Sequence, residues 1–104
     1  MSLHVAPRRR ILIIEDEESV SRLLVNSLES SYAVRSEPTG QKGIQAAIEF
    51  RPDLVILDLG LPDIDGQNVL LKLREWLKAP IIILTARESD EDKVKALDSG
   101  ADDY

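Results

Sequence analysis

The chain has 104 residues, 43% of them hydrophobic and 31% charged, with a formal net charge of −6 and no cysteine. That length supports one domain around one core, the acidic balance excludes nucleic-acid binding through a basic surface of this segment alone, and the missing thiols exclude disulfides, thiolate zinc sites and cysteine nucleophiles. Apolar runs of four or five residues bounded by charge exclude a membrane helix, so a soluble cytoplasmic protein with no membrane partner is expected.

Residues 1–9 read as a leader and 10–104 as the domain. The basic cluster Arg8-Arg9-Arg10 is expected to be a solvated flank, and His4 has no metal partner in sequence. Ile11 to Ile14 is apolar without alternation and reads as a strand buried on both faces, ending in Glu15-Asp16-Glu17. Val20, Leu23, Leu24 and Leu28 then recur at helical spacing. They predict an amphipathic helix from about Glu18 to Ser30, with these four inward and acids in the first turn, where the macrodipole favours them.

Tyr32 to Ser36 is short and mixed in polarity, which predicts an edge strand. Thr39 can cap a second helix running to about Phe50, with Ile44, Ala47 and Ile48 inward and Arg51-Pro52 stopping it. Leu54 to Leu57 is another doubly buried strand, closed by Asp58 and the turn Leu59-Gly60-Leu61-Pro62-Asp63. Pro62 and Gly66 set that turn and the entry to a third helix, Gly66 to Leu77, whose inner side is Val69, Leu70, Leu73 and Leu77. Trp76 near its end reads as surface or partial core packing.

Ile81 to Leu84 is the next doubly buried strand and delivers Thr85. Ser89 or Asp90 begins a fourth helix with Val94 and Leu97 inward and Glu91, Asp92, Lys93 and Lys95 in solvent; Gly100 ends it as a left-handed cap. Asp102 and Asp103 read as solvated turn residues within Ala101 to Tyr104, the opening of a fifth strand.

Strands alternating with helices predict an α/β fold: a flavodoxin-like doubly wound parallel sheet of order 2-1-3-4-5, with mixed-polarity strand two at the edge. The fifth strand is expected to be truncated and the fifth helix absent from this chain. Such sheets bind ligands beyond the carboxyl ends of the strands where the winding reverses, here between strands one and three. Asp16 and Asp58 flank that crevice.

Clustered carboxylates repel one another and raise a pKa unless a cation compensates. Oxygen ligands with no histidine or cysteine nearby favour a hard ion, and a small set leaving room for waters and phosphate oxygens favours magnesium over a caged calcium. Magnesium beside an aspartate points to phosphate, and an aspartate can itself be the covalent acceptor, a role that fits Asp58. The Thr85 hydroxyl lies on the same rim, where it could bond a phosphoryl oxygen; it also reads simply as a strand-end or helix-capping hydroxyl.

The segments ILIIEDE, LVILDLGLPDIDG, IIILTAR and GADDY, in this order and spacing over about Arg10 to Tyr104, resemble the receiver domain of bacterial two-component response regulators. The resemblance implies that Asp58 is the phosphoacceptor, that Asp16 and Asp58 bind Mg2+ directly with the Gly60 carbonyl, and that Glu15 acts through a metal-bound water. It implies that Thr85 is the switch hydroxyl and Tyr104 the switch aromatic. The family's lysine, three residues beyond that aromatic, falls past the end of this sequence, which would remove one cationic stabiliser of the transferred group.

The implied partners are a cognate sensor histidine kinase, a second copy through the face of helix 4, strand 5 and helix 5, and DNA only through an output domain that is not in this chain. Gly60 and Arg74-Glu75-Trp76 are similar to the potassium-responsive Kdp branch of the OmpR/PhoB-type transcriptional regulators. The implied role is a signalling receiver that catalyses only its own phosphorylation and dephosphorylation, rather than an enzyme. A phosphatase or mutase with an aspartyl-phosphate intermediate is the second reading, disfavoured because the position two after the nucleophile is Gly60 rather than an acid. A receiver-like module that works unphosphorylated is a minor reading. A nucleotide-binding Rossmann-type domain is weaker still, since Glu15-Asp16-Glu17 would repel phosphates and no glycine-rich loop follows strand one.

Overall fold

The computed structural model describes residues 7–86 and 89–104. The elements run β1 (Arg10–Ile14), α1 (Glu18–Leu28), β2 (Ala33–Glu37), α2 (Gly40–Phe50), β3 (Leu54–Leu57), α3 (Gly66–Arg74), β4 (Ile81–Ile83) and α4 (Asp90–Asp98). The strands form one parallel sheet in the order β2-β1-β3-β4, with Ile14 level with Leu57 and Leu57 level with Ile83. A single parallel bridge joins Ile82 to Asp103 on the outer side of β4, where the fifth strand was expected to open. The 2-1-3-4 order with β2 at the edge is therefore as the sequence predicts.

Alternation along the strands divides the apolar residues between two faces. Leu12, Ile14, Val55, Leu57, Ile81 and Ile83 belong to the buried cluster that also takes in Ala46 and Ala47 of α2, Val69, Leu70 and Leu73 of α3 and Ala96 of α4. Ile11 and Ile13 are buried on the other side, but Leu54, Ile56 and Ile82 are only half covered. β3 and β4 are thus not buried on both faces as predicted. Leu28, Tyr32, Ile11, Leu54 and Ile56 instead line an open apolar cleft.

Several inward assignments also change. Leu23 is 67% exposed and Ile48 61% exposed, and in α4 Val94 is 56% and Leu97 39% exposed. In α2 the reason is close approach: Gly43, Ala46 and Ala47 face the sheet, and an added Cβ on Gly43 would meet Ile14 at 2.6 Å. A helix seated on its smallest residues turns its larger ones outward. α4 likewise touches the core through Ala96 alone.

Boundaries shift by a few residues. α1 stops at Leu28 and β2 begins at Ala33; α3 stops at Arg74, where the Glu75 and Trp76 N–H groups donate to Lys72 and Leu73 in tighter i to i−3 bonds. β4 stops at Ile83, although the Leu84 N–H still donates to the Leu57 carbonyl at 3.0 Å. Thr39 caps α2 through Lys42 and Ser89 caps α4, as expected. Gly100, with φ of 112°, ends α4 in the region that side chains disfavour. His4 lies outside the described residues. Arg8, Arg9 and Arg10 are exposed, as expected of a solvated flank, and two of them are also tied to the domain: Arg8 donates to the Glu29 carbonyl at 2.8 Å and the Arg10 guanidinium to the Arg51 carbonyl at 3.2 Å.

Candidate functional site

Parallel pairing carries two strand ends to the same level. The Asp58 N–H donates to the Ile14 carbonyl at 2.9 Å and the Glu15 N–H to the Glu37 carbonyl at 3.0 Å, so the residues leaving β1 and β3 emerge side by side. One ligand oxygen from each of Glu15, Asp16 and Asp58 lies within 4.8 Å of the others. Glu15 is buried, Asp58 half-buried and Asp16 exposed, so the group grades from interior to solvent.

The electrostatics follow from that grading. Burial is the largest influence on Glu15 and pushes its carboxyl from an ordinary 4.5 up to about 7; the Glu17 N–H opposes this, and the neighbouring Asp58 and Asp16 reinforce it. The Glu17 bond to Glu15 Oε2 measures 3.2 Å. The three carboxyl groups suit a hard dication, and the exposure of Asp16 leaves space for water in its coordination shell.

Asp16, Asp58, Gly60 and Thr85 line one open cleft with Glu17 and Ala86. Thr85 reaches it because β4 pairs with β3 and ends two residues earlier. The Gly60 N–H donates to Asp58 Oδ1 at 3.2 Å, turning the chain back over the carboxylate. Tyr104 is not part of this cleft. It is half-buried against the core beside the end of β4, following the Ile83 N–H bond to the Asp103 carbonyl at 3.0 Å.

Four residues have structural roles the sequence does not reveal. Asp63 Oδ1 accepts the Gly40 N–H at 2.8 Å and Oδ2 the Gln41 N–H at 2.9 Å, so the loop after Asp58 caps the N-terminus of α2. Gln67 is a buried amide in the first turn of α3. Arg74 donates to the carbonyls of Gly100, Leu77 and Ala79 and pairs with Asp102 at 2.6 Å. Asp102 is an exposed turn acid, as expected, but it also accepts the Ile81 N–H at 2.8 Å and so bridges α3 to β4. Acid following turn residues was the only sequence signal for Asp63, and nothing local marked the other three.

A parallel sheet of this order with an acid cluster at its switch point suits metal-assisted phosphate chemistry, and the comparisons give the family. Residues 11–104 match the response regulator receiver domain, and the chain belongs to that family, the receiver domains of two-component response regulators. It is similar to the transcriptional regulatory protein KdpE of Mycobacterium tuberculosis, 52% identical over 95 residues that cover 90% of this chain and 42% of that protein. The KDP operon transcriptional regulatory protein KdpE of Escherichia coli is 47% identical over 95 residues, with the same coverage of 90% and 42%. The chain thus spans about two fifths of the length of these relatives. Among solved structures, the BeF3-activated N-terminal receiver domain of Klebsiella pneumoniae RstA is similar with a TM-score of 0.88 at 34% identity, covering 92% of this chain and 83% of that one. Among the described residues no helix is long and apolar enough to cross a membrane.

Proposed function

We propose that Asp58 is the phosphoacceptor of this receiver, taking a phosphoryl group from a phosphohistidine on a sensor histidine kinase. A carboxylate oxygen of Asp58 forms the new bond to phosphorus as the bond to the imidazole nitrogen breaks, giving an aspartyl phosphate, and the leaving nitrogen keeps the electron pair and takes up a proton to give neutral histidine. The residues that would hold Mg2+ are Asp16 and Asp58 through carboxylates, Gly60 through its carbonyl and Glu15 through water. When bound, the ion neutralises charge on the phosphoryl oxygens. Thr85 is the hydroxyl that would donate to a phosphoryl oxygen, and Tyr104 the aromatic that repacks with it.

The observation that carries this reading is the convergence of Glu15, Asp16 and Asp58 within 4.8 Å on a cleft that Thr85 also lines. The named relatives are transcriptional regulators, and the same output is proposed here: DNA control by an output domain outside this segment, in the cytoplasm, with a dimer through the face of α4, strand five and helix five. Residues 10–104 form the receiver, and residues 1–9 flank it.

The test is phosphoryl transfer from acetyl phosphate or a phosphorylated kinase, read by intact mass with and without Mg2+. One phosphoryl group is expected on the wild type, dependent on Mg2+, and none on Asp58→Asn. Labelling of Asp58→Asn, or labelling indifferent to chelation, overturns the assignment.

A further inference from the structure

α4 has little apolar attachment. Ala96 is its one buried residue, while Val94 and Leu97 face out. Two polar side chains of α3, one helical face apart by two turns, hold it instead. At the near end Gln67, 2% exposed, donates Nε2 to the Asp92 carbonyl in the first turn of α4 at 3.0 Å. At the far end Arg74 donates Nε to the Gly100 carbonyl at 2.8 Å and also grips Leu77, Ala79 and Asp102.

The two attachments differ in strength. Arg74 makes four bonds from a charged guanidinium, three to backbone carbonyls on both sides of β4 and one to the Asp102 carboxylate. Among the described residues Gln67 makes a single neutral side-chain bond, and its other polar atom, Oε1, is buried with no hydrogen-bond partner. Reversing the amide would set Oε1 against the Asp92 carbonyl, two acceptors facing each other, so the orphan is a property of this arrangement. A buried acceptor without a donor favours any alternative position of α4 that supplies one. Gly100, at φ of 112° and packed so that a Cβ would meet Arg74 at 2.5 Å, sits at the strong end as a natural pivot.

We propose that Gln67 is a releasable latch and that α4 pivots about its Arg74-held C-terminal end, its N-terminal turn swinging when the latch opens. The swinging end is joined to Thr85 by the β4–α4 connection, so the latch sets how readily a change at the cleft moves α4. This last link rests on the phosphoacceptor reading; the latch and pivot do not. Gln67 is a positioning residue in this scheme, acting through α4 and touching no reacting atom.

Residue-resolved amide exchange on the whole chain tests it. In the unphosphorylated state Gln67→Met, close to isosteric, is expected to raise exchange at Lys93 and Val94 about fivefold, the scale of one net hydrogen bond, while Ser99, Ala101 and the β1 and β3 amides stay unchanged. Arg74→Met is expected to loosen both ends. Unchanged exchange at Lys93 and Val94 in Gln67→Met, or an equal rise at both ends, overturns the latch. Beryllium trifluoride with Mg2+, a phosphoryl stand-in, is expected to reproduce the one-ended pattern in the wild type. Loosening at Ser99 and Ala101 instead overturns the pivot. If the stand-in gives no response at Asp58, the phosphoacceptor reading fails, and the Gln67→Met comparison still decides the latch.

Discussion

A Cβ placed on Gly66 would lie 2.6 Å from the carbonyl oxygen of Asp58 and 2.4 Å from the Leu59 Cα. The first residue of α3 therefore rests directly on the backbone that presents the Asp58 carboxylate, with its N–H donating to the Leu59 carbonyl at 3.0 Å. Gly66→Ala is expected to cost about 1–3 kcal/mol, the range for overpacking where backbone must move, and to slow phosphorylation. Gly60→Ala is the contrast, because its Cβ would meet Asp58 only at 3.8 Å. Urea unfolding should leave Gly60→Ala close to the wild type and shift Gly66→Ala to a lower midpoint.

The Asp63 carboxylate is held below its ordinary 3.8 chiefly by the Gln41 N–H, with the Gly40 N–H adding to the effect. A depressed folded pKa means that stability from this cap is fully present above about 3.8 and is lost as pH falls through the folded value. Asp63→Asn is expected to be less stable than the wild type at neutral pH, with the two converging in acid. Denaturant midpoints collected across that range check the sign; a gap that widens as pH falls would contradict it.

Truncating Arg74 leaves the Gly100, Leu77 and Ala79 carbonyls without their donor. Arg74→Met is expected to lose about 1–3 kcal/mol, the cost of unsatisfied buried acceptors. Arg74→Lys should recover little of it, since one ammonium cannot reproduce the planar fork. Thermal unfolding of the three proteins orders them.

Magnesium binding to the acid cluster should raise the unfolding temperature, by about 2.7 kcal/mol of added stability when the ion is at a hundred times its dissociation constant. Asp16→Asn is expected to abolish most of that gain, and Glu37→Gln, outside the cluster, to retain it. Calorimetric scans with Mg2+ and with chelator measure both.

The strand order and the meeting of Asp16 with Asp58 were legible because they follow from patterns a parallel sheet imposes: short apolar runs, helical connections and acids at strand ends. Thr85 was legible for the same reason, lying just beyond the end of β4. The inward faces of α1, α2 and α4 were read less well. Spacing alone ranks Leu23, Ile48, Val94 and Leu97 as core candidates, whereas α2 and α4 make their contacts through small residues such as Ala47 and Ala96 that carry little hydrophobic signal, and α1 buries no residue fully. Asp63, Gln67 and Asp102 escaped because each bonds to backbone 21 to 25 residues away, a relation no local window contains.

The tight seat of Gly43 on Ile14 has a mechanical corollary. α2 has no room to settle closer to β1, whereas α4, on the same face of the sheet, meets the core through Ala96, so of these two helices α4 is the one with play.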